Sequence, residues 1–187
     1  MLGFASSTHG LEIFGREIMF VINNKMAKLL NNINNINIID INQNLYELLN
    51  LEFEKKAGGI FFHGAYTSQY DDKIISQEYI RRVHTDISGM EISLNMIHID
   101  DYVNSEVFLQ SIAFLKRFIE KWTLLENSEF LAIVSFQDDD VGTFSKFSFH
   151  KIRPGEMVYD INNIDKFLEA VMIYISDISA FNPGQHF

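Results

Sequence analysis

The sequence predicts one α+β domain over residues 1–187, a largely antiparallel sheet packed by amphipathic helices. Three observations lead there. Between Ser105 and Asn127, the apolar residues Phe108, Ile112, Leu115, Ile119 and Trp122 recur at steps of four and three, the stripe of a helix with one apolar face. Further on, EFLAIVSFQ and TFSKFSFHKI bracket three aspartates and a glycine, as two strands bracket a tight turn. Earlier, GIFFHGAY, KIISQEYIRRVH and MEISLNMIHI are short apolar runs separated by polar breaks at Asp71-Asp72 and Ser88-Gly89.

Taken in order, the first expected element is a short helix behind an Asn23 or Asn24 cap, with Met26, Leu29, Leu30 and Ile33 on one side. The surrounding Asn- and Ile-rich run reads as compositional drift rather than a functional tract. Leu45, Leu48, Leu49 and Phe53 define a second helix, which KKAGG would close with cations and glycine. The three short runs then form an antiparallel meander. The long helix follows behind an Asn104 cap and covers one sheet face, and the next hairpin carries the aspartates at its tip with Gly142 at positive φ. Finally RPGE turns the chain, EMVYD adds a short strand, and Ile164, Phe167, Leu168, Val171 and Ile175 mark a closing helix before a frayed FNPGQHF tail. No Pro/Gly/Ser linker divides the chain, and no internal period recurs.

A chain of 187 residues buries roughly 70% of the surface its unfolded form exposes, so it requires no covalent staple. Cysteine is absent, which excludes disulfides, thiolate zinc sites and cysteine nucleophiles and fits a cytoplasmic, reducing setting. The N-terminal segment lacks the basic start and apolar core of a secretion signal, and no apolar run approaches a membrane span. The expectation is a cytoplasmic protein without a membrane partner.

The net charge is −10, which disfavours direct binding to nucleic acid, whose phosphates demand lysine and arginine. Its placement is uneven. From Val83 to Leu115 there are Asp86, Glu91, Asp100, Asp101 and Glu106 without Lys or Arg; from Trp122 to Ser145 there are Glu126, Glu129, Asp138, Asp139 and Asp140, again uncompensated. Solubility is the ordinary use of such charge.

The acids fit no metal motif. Counted as a calcium loop from Asp138, glycine falls fifth instead of sixth and the twelfth residue is Phe149 instead of glutamate. A two-metal phosphoryl-transfer centre would require further converging acids and basic residues. His63, His84, His98 and His150 fall in expected strands, and His98 with Asp100 has the H-x-D spacing of a ligand pair, a spacing more often met where polar side chains simply face solvent. Ser6, Ser7 and Thr8 form no nucleophilic constellation, and no phosphate-binding glycine loop is present. The sequence calls for no cofactor and no metal. Phe144, Phe147 and Phe149 beside Lys146, Lys151 and Arg153 faintly suggest a base-stacking strand, but 17 phenylalanines across the chain are better explained as core.

The helix EVFLQSIAFLKRFIEKW, the strands LAIVSF and FSFHKIRPGE, and the segment IDKFLEAVMIYI together resemble immunity proteins of bacterial contact-dependent growth inhibition and polymorphic toxin systems. The resemblance covers about Ser105 to Ser176 and is carried chiefly by FSFHKIRPGEMVYDINNIDKFLEAV. It implies a noncatalytic cytoplasmic protein whose partner is a cognate toxin C-terminal domain, often a nuclease. It transfers no contact residues. On charge alone, Asp138, Asp139, Asp140, Asp100, Asp101 and Glu106 are the expected partner-binding residues, with carboxylates standing in for phosphate on a basic surface. Two other classes stay open: a small acidic hydrolase around His98, Asp100 and Asp138 to Asp140, and an adaptor for an unrelated basic protein.

Overall fold

A computed structural model describes residues 9–13, 16–33, 40–71, 73–126 and 128–176. The expectations for Ser6, Ser7 and Thr8, for the middle of the Asn- and Ile-rich run, and for the FNPGQHF tail lie outside them. The elements are β1 His9–Ile13, β2 Arg16–Ile22, α1 Asn24–Asn31, α2 Gln43–Asn50, β3 Glu54–Lys56, β4 Gly59–Phe61, α3 Ala65–Tyr70, α4 Gln77–His84, α5 Ile87–Leu94, β5 Ile97–His98, α6 Val107–Leu125, β6 Phe130–Asp139, β7 Gly142–Lys151 and β8 Ala170–Ile175. Six strands form one sheet in the order β1-β2-β8-β6-β7-β5, with β3 and β4 as a separate hairpin. Every pairing is antiparallel. The expected α+β class is the one adopted.

The central strands alternate between two cores. Phe130, Ala132, Val134 and Phe136 of β6, with Phe147 and Phe149 of β7 and Met172 and Tyr174 of β8, face α1, α2 and α6. Leu131, Ile133, Val171, Ile173 and Ile175 face the other way, beneath the irregular segment 152–169. On the first face Phe118 of α6 sits 4.6 Å from Phe149 and 4.9 Å from Phe147, ring centre to ring centre. Phe114, Phe118 and Trp122 are almost wholly buried, and each contributes on the order of 1.5–3 kcal/mol through the apolar area it removes from water. Of the stripe read from the sequence, Leu115 and Trp122 lie on this buried face while Phe108, Ile112 and Ile119 are only partly buried beside it; the closest ring contacts come from Phe114 and Phe118, which the stripe left out.

At its outer edge β7 meets side chains more than backbone. β5 covers only Phe147 and Lys146. Beyond it, Asp100 accepts the Ser145 N–H (2.8 Å), Asn95 donates to the Phe149 carbonyl (3.3 Å) and Glu91 accepts the Lys151 N–H (2.8 Å). Glu91 of α5 and Asn95, the residue that caps its end one turn later, also satisfy β4 and the residue after it: Ile60 N–H donates to Glu91 (2.7 Å), Phe62 N–H to Asn95 (2.9 Å), and Asn95 donates to the Ile60 carbonyl (2.9 Å). One helical face thereby joins the small hairpin to the large sheet and leaves fewer edge groups for another chain to pair with.

Several expected elements are corrected. The meander does not form: of its three runs only Gly59–Phe61 and Ile97–His98 are strands, and α3, α4 and α5 occupy the rest. The caps explain why. Ser76 accepts the Tyr79 N–H and opens α4, and Asp86 accepts the Gly89 N–H, so Ser88-Gly89 lies inside α5 rather than in a turn. KKAGG does not close a helix; Ala57 and Gly58 both have positive φ, as a two-residue hairpin turn between β3 and β4 requires. α6 begins three residues after Asn104, behind Glu106 at φ 54°, and no side chain caps it. EMVYD is not a strand, and the closing helix is a 3-10 turn at Ile161–Lys166 followed by β8. All six β8 residues are buried because both sheet faces are covered, which leaves no alternation to read and lets helical spacing match by coincidence.

Candidate functional site

The three aspartates stand where the sequence placed them. β6 and β7 stay in register from Phe130↔Lys151 to Asp139↔Gly142, so Asp140 and Val141 are the two-residue turn. Gly142 has φ 149°, the positive-φ position expected of it. All three aspartates are exposed. The tip is held by its own acids: Thr143 Oγ1 donates to Asp138 (2.5 Å), and Asp139 accepts from the Gln137 amide (2.5 Å) and the Val141 N–H (2.8 Å). Those donors, Gln137 first, hold the Asp139 carboxyl below the usual carboxylate range. Two charges about 4 Å apart repel by roughly 1 kcal/mol in water, a cost these hydrogen bonds help offset.

The other three nominated acids lie toward the same end of the sheet. Asp100 and Asp101 belong to a 3-10 turn, Ile99–Asp101, directly after β5, and Asp100 is anchored on Ser145 N–H, three residues or roughly 10 Å along β7 from Gly142. Glu106 is exposed before α6, whose first turn meets the hairpin through Phe108 against Phe136 (4.9 Å). Ser145 ties these parts together: its hydroxyl donates to the Ser135 carbonyl (3.0 Å) and pairs with Ser111 of α6 (2.6 Å). Six acids therefore share one pole of the molecule.

Three of the four remaining acids of the two uncompensated segments have internal work. Glu91 is buried against Arg153, Asp86 caps α5, and Glu126 pairs with Lys55 at 2.7 Å. A sum of charges along the sequence cannot make that division, since Lys55 and Arg153 come from distant parts of the chain.

The histidines scatter. His63 is exposed in the turn before α3 and His84 ends α4, so neither lies in a strand; His98 and His150 do. His84 is 2.6 Å from the Tyr70 hydroxyl, and its burial lowers its pKa. His98 faces Lys146 across the β5–β7 ladder. His150 is 2% exposed, too enclosed to meet a substrate. Among the described residues no group of three His, Cys, Asp or Glu side chains is placed to hold a metal ion. A shallow pocket of about 310 Å³ is lined by Val158, Tyr159, Asp160, Asn163, Lys166 and Phe167, and contains none of the nominated acids or histidines.

Sequence reasoning missed the apolar part of the pole. Val141 is 82% exposed at the hairpin tip, and the Phe144 ring, 38% exposed, lies against Gly142, where an added Cβ would come within 3.1 Å of it. The V-G-T-F spacing after the aspartates was the available signal. An apolar residue amid exposed acids gives a protein partner something to bury.

The family model described as "Uncharacterized protein PM0498 family" matches residues 21–182. The chain belongs to this family. Its relative "Uncharacterized protein PM0498" of Pasteurella multocida (strain Pm70) is 36% identical over 159 residues, covering 83% of this chain and 98% of the relative. The PM0498 match takes in the acidic hairpin, α5, α6 and β8, while β1 and most of β2 precede it. No solved structure matches the chain. No described helix is long and apolar enough to cross a membrane.

Proposed function

We propose that this PM0498-family chain is an immunity protein of the contact-dependent growth inhibition or polymorphic toxin type. It acts in the cytoplasm, binds a cognate toxin C-terminal domain, and occupies the basic surface on which that domain, a nuclease, holds its phosphodiester. Asp138, Asp139 and Asp140 make the first contact, with Asp100, Asp101 and Glu106 beside them. The supporting observation is the ordered hairpin tip, where exposed carboxylates surround the exposed Val141 at the acidic end of the sheet. The residue-pattern resemblance supports it less, because the short strand and closing helix that carried part of it are a loop, a 3-10 turn and β8.

Carboxylates on a rigid turn accelerate encounter with a cationic cleft and lose that advantage as salt screens them beyond a Debye length of about 8 Å. An inhibitor that leaves little free toxin requires nanomolar affinity, about −12 kcal/mol. The test replaces Asp138, Asp139 and Asp140 together by asparagine and measures folding stability, association rate with the toxin domain encoded next to the gene, and protection of cells that express it. Stability is expected to hold or fall slightly, since an amide keeps only one of the two acceptor oxygens of Asp139, while association slows by tenfold or more and protection weakens. Intact association and protection would move the contact away from the tip, and absence of binding to any neighbouring product would sink the immunity reading.

A further inference from the structure

The segment 152–169 is a strap over the second sheet face. Its Ile152, Val158, Tyr159, Ile161, Ile164 and Phe167 pack on the core of Leu131, Ile133, Val171 and Ile173. At its far end α1 holds it: Asp165 accepts the Asn24 N–H (2.8 Å), Asn23 donates to the Glu169 carbonyl (2.8 Å), and Lys25 donates to the Leu168 carbonyl. At its near end α5 holds it: Arg153 grips Glu91, and one Glu156 oxygen accepts both the N–H (2.9 Å) and the hydroxyl (2.6 Å) of Ser88.

His150 sits at the root of this near clasp. Its Nδ1 lies 2.8 Å from the Lys151 carbonyl, which can only accept, so Nδ1 carries the proton and Nε2 presents a lone pair. Nε2 is buried and meets no hydrogen-bonding group of the described residues. The same Lys151 carbonyl accepts from Arg153 Nη1 (3.1 Å) and lies 3.3 Å from Ser88 Oγ, whose proton points to Glu156, which makes it the point where strand, strap and α5 meet. The charged groups around the ring are Asp86 and Glu91 from α5 and Arg153 from the strap, with Glu156 bonded to the same Ser88; β6 sets Leu131 opposite it. A proton on Nε2 would be a buried charge with no acceptor, next to a guanidinium already committed to Glu91.

We propose that His150 is an acid-sensitive latch: protonation at Nε2 releases residues 152–156 from α5 and uncovers the second sheet face. Burial is the largest influence on the ring and lowers its pKa in the closed form, outweighing Glu91 and Asp86. In an open form the ring titrates near its ordinary value of about 6.5. The closed form is therefore favoured above that pH and loses ground as pH falls; between the two titrations the open fraction rises by at most about tenfold per pH unit.

The experiment follows amide hydrogen exchange of Ser88 and Ile152, corrected for intrinsic rate, at pH 7.5, 6.5 and 5.5 in the whole chain. Protection is expected to fall up to about fivefold from pH 6.5 to 5.5, to become flat in His150→Leu, and to keep its pH dependence in His84→Gln, whose histidine lies at the neighbouring end of α4. Constant protection in the wild type, or unchanged pH dependence in His150→Leu, overturns the latch. Should His150→Leu fail to fold, the wild-type His150 ring is followed by NMR: a midpoint tracking the loss of Ser88 protection supports the latch, and independent titrations overturn it.

Discussion

Arg153 holds Glu91 with both arms: Nη1 lies 2.7 Å from Oε2 and Nη2 lies 2.8 Å from Oε1. The glutamate side chain is fully buried and the arginine is 14% exposed. Burial works against the guanidinium charge, yet the hydrogen bonds and charge of Glu91 keep the Arg153 pKa above its ordinary value. The Glu91 side chain also accepts from Ile60 and Lys151, so each of its side-chain hydrogen bonds joins α5 to a part of the chain outside that helix.

Replacing Glu91 by glutamine leaves that guanidinium with a neutral partner and is expected to cost about 3–5 kcal/mol in urea unfolding. Replacing Glu91 and Arg153 together by methionine should cost less than the single change, because no unpaired charge remains buried. A double variant as unstable as the single one would show that the ion pair is not what the site requires.

Asn95→Ala removes the acceptor for Phe62 N–H and the donor to the Ile60 and Phe149 carbonyls. Groups left buried and unpaired make a loss of roughly 2–4 kcal/mol the expected result. Hydrogen exchange should show the β3–β4 hairpin loosening before β6. Uniform loss across the chain would argue against its role as the local join.

Trp122, the single tryptophan, is 1% exposed and donates to the Ser128 carbonyl at 2.8 Å. Its fluorescence should shift to the red on unfolding, and its midpoint should coincide with loss of far-UV circular dichroism if unfolding is two-state. An unshifted spectrum would contradict this burial.

Tyr159 gives an alkaline prediction. Burial pushes its phenol up to about 12, against an ordinary value of about 10. The folded form keeps the proton that the unfolded chain gives up, so this contribution is complete below pH 10 and is lost between pH 10 and 12. Thermal scans of the wild type and Tyr159→Phe should diverge over that interval, the variant losing less. Parallel curves would remove Tyr159 from the alkaline transition.

What the sequence determined by itself are the features set by neighbours along the chain. Asn23 caps α1 by accepting Met26 N–H three residues on, the four-and-three stripe makes α6, and the two alternating apolar segments fold onto each other with Asp138–Asp140 between them. Each is local: a cap, a face or a turn is complete within a few residues, so its signal survives in the order of the letters.

Tertiary structure decided the rest. Ala170–Ile175 is a strand because β2 and β6 stand on either side of it and both faces are covered, a circumstance absent from the six letters themselves. In the same way Glu91 and Glu126 read as free acids until Arg153 and Lys55 arrive from 62 and 71 residues away, whereas Asp138, Asp139 and Asp140 stay in water because no cation reaches the tip among the described ion pairs. Spacing specifies which face of an element is apolar, but which charge is neutralised depends on what the folded chain brings within about 4 Å, and that distance is unrelated to separation in sequence.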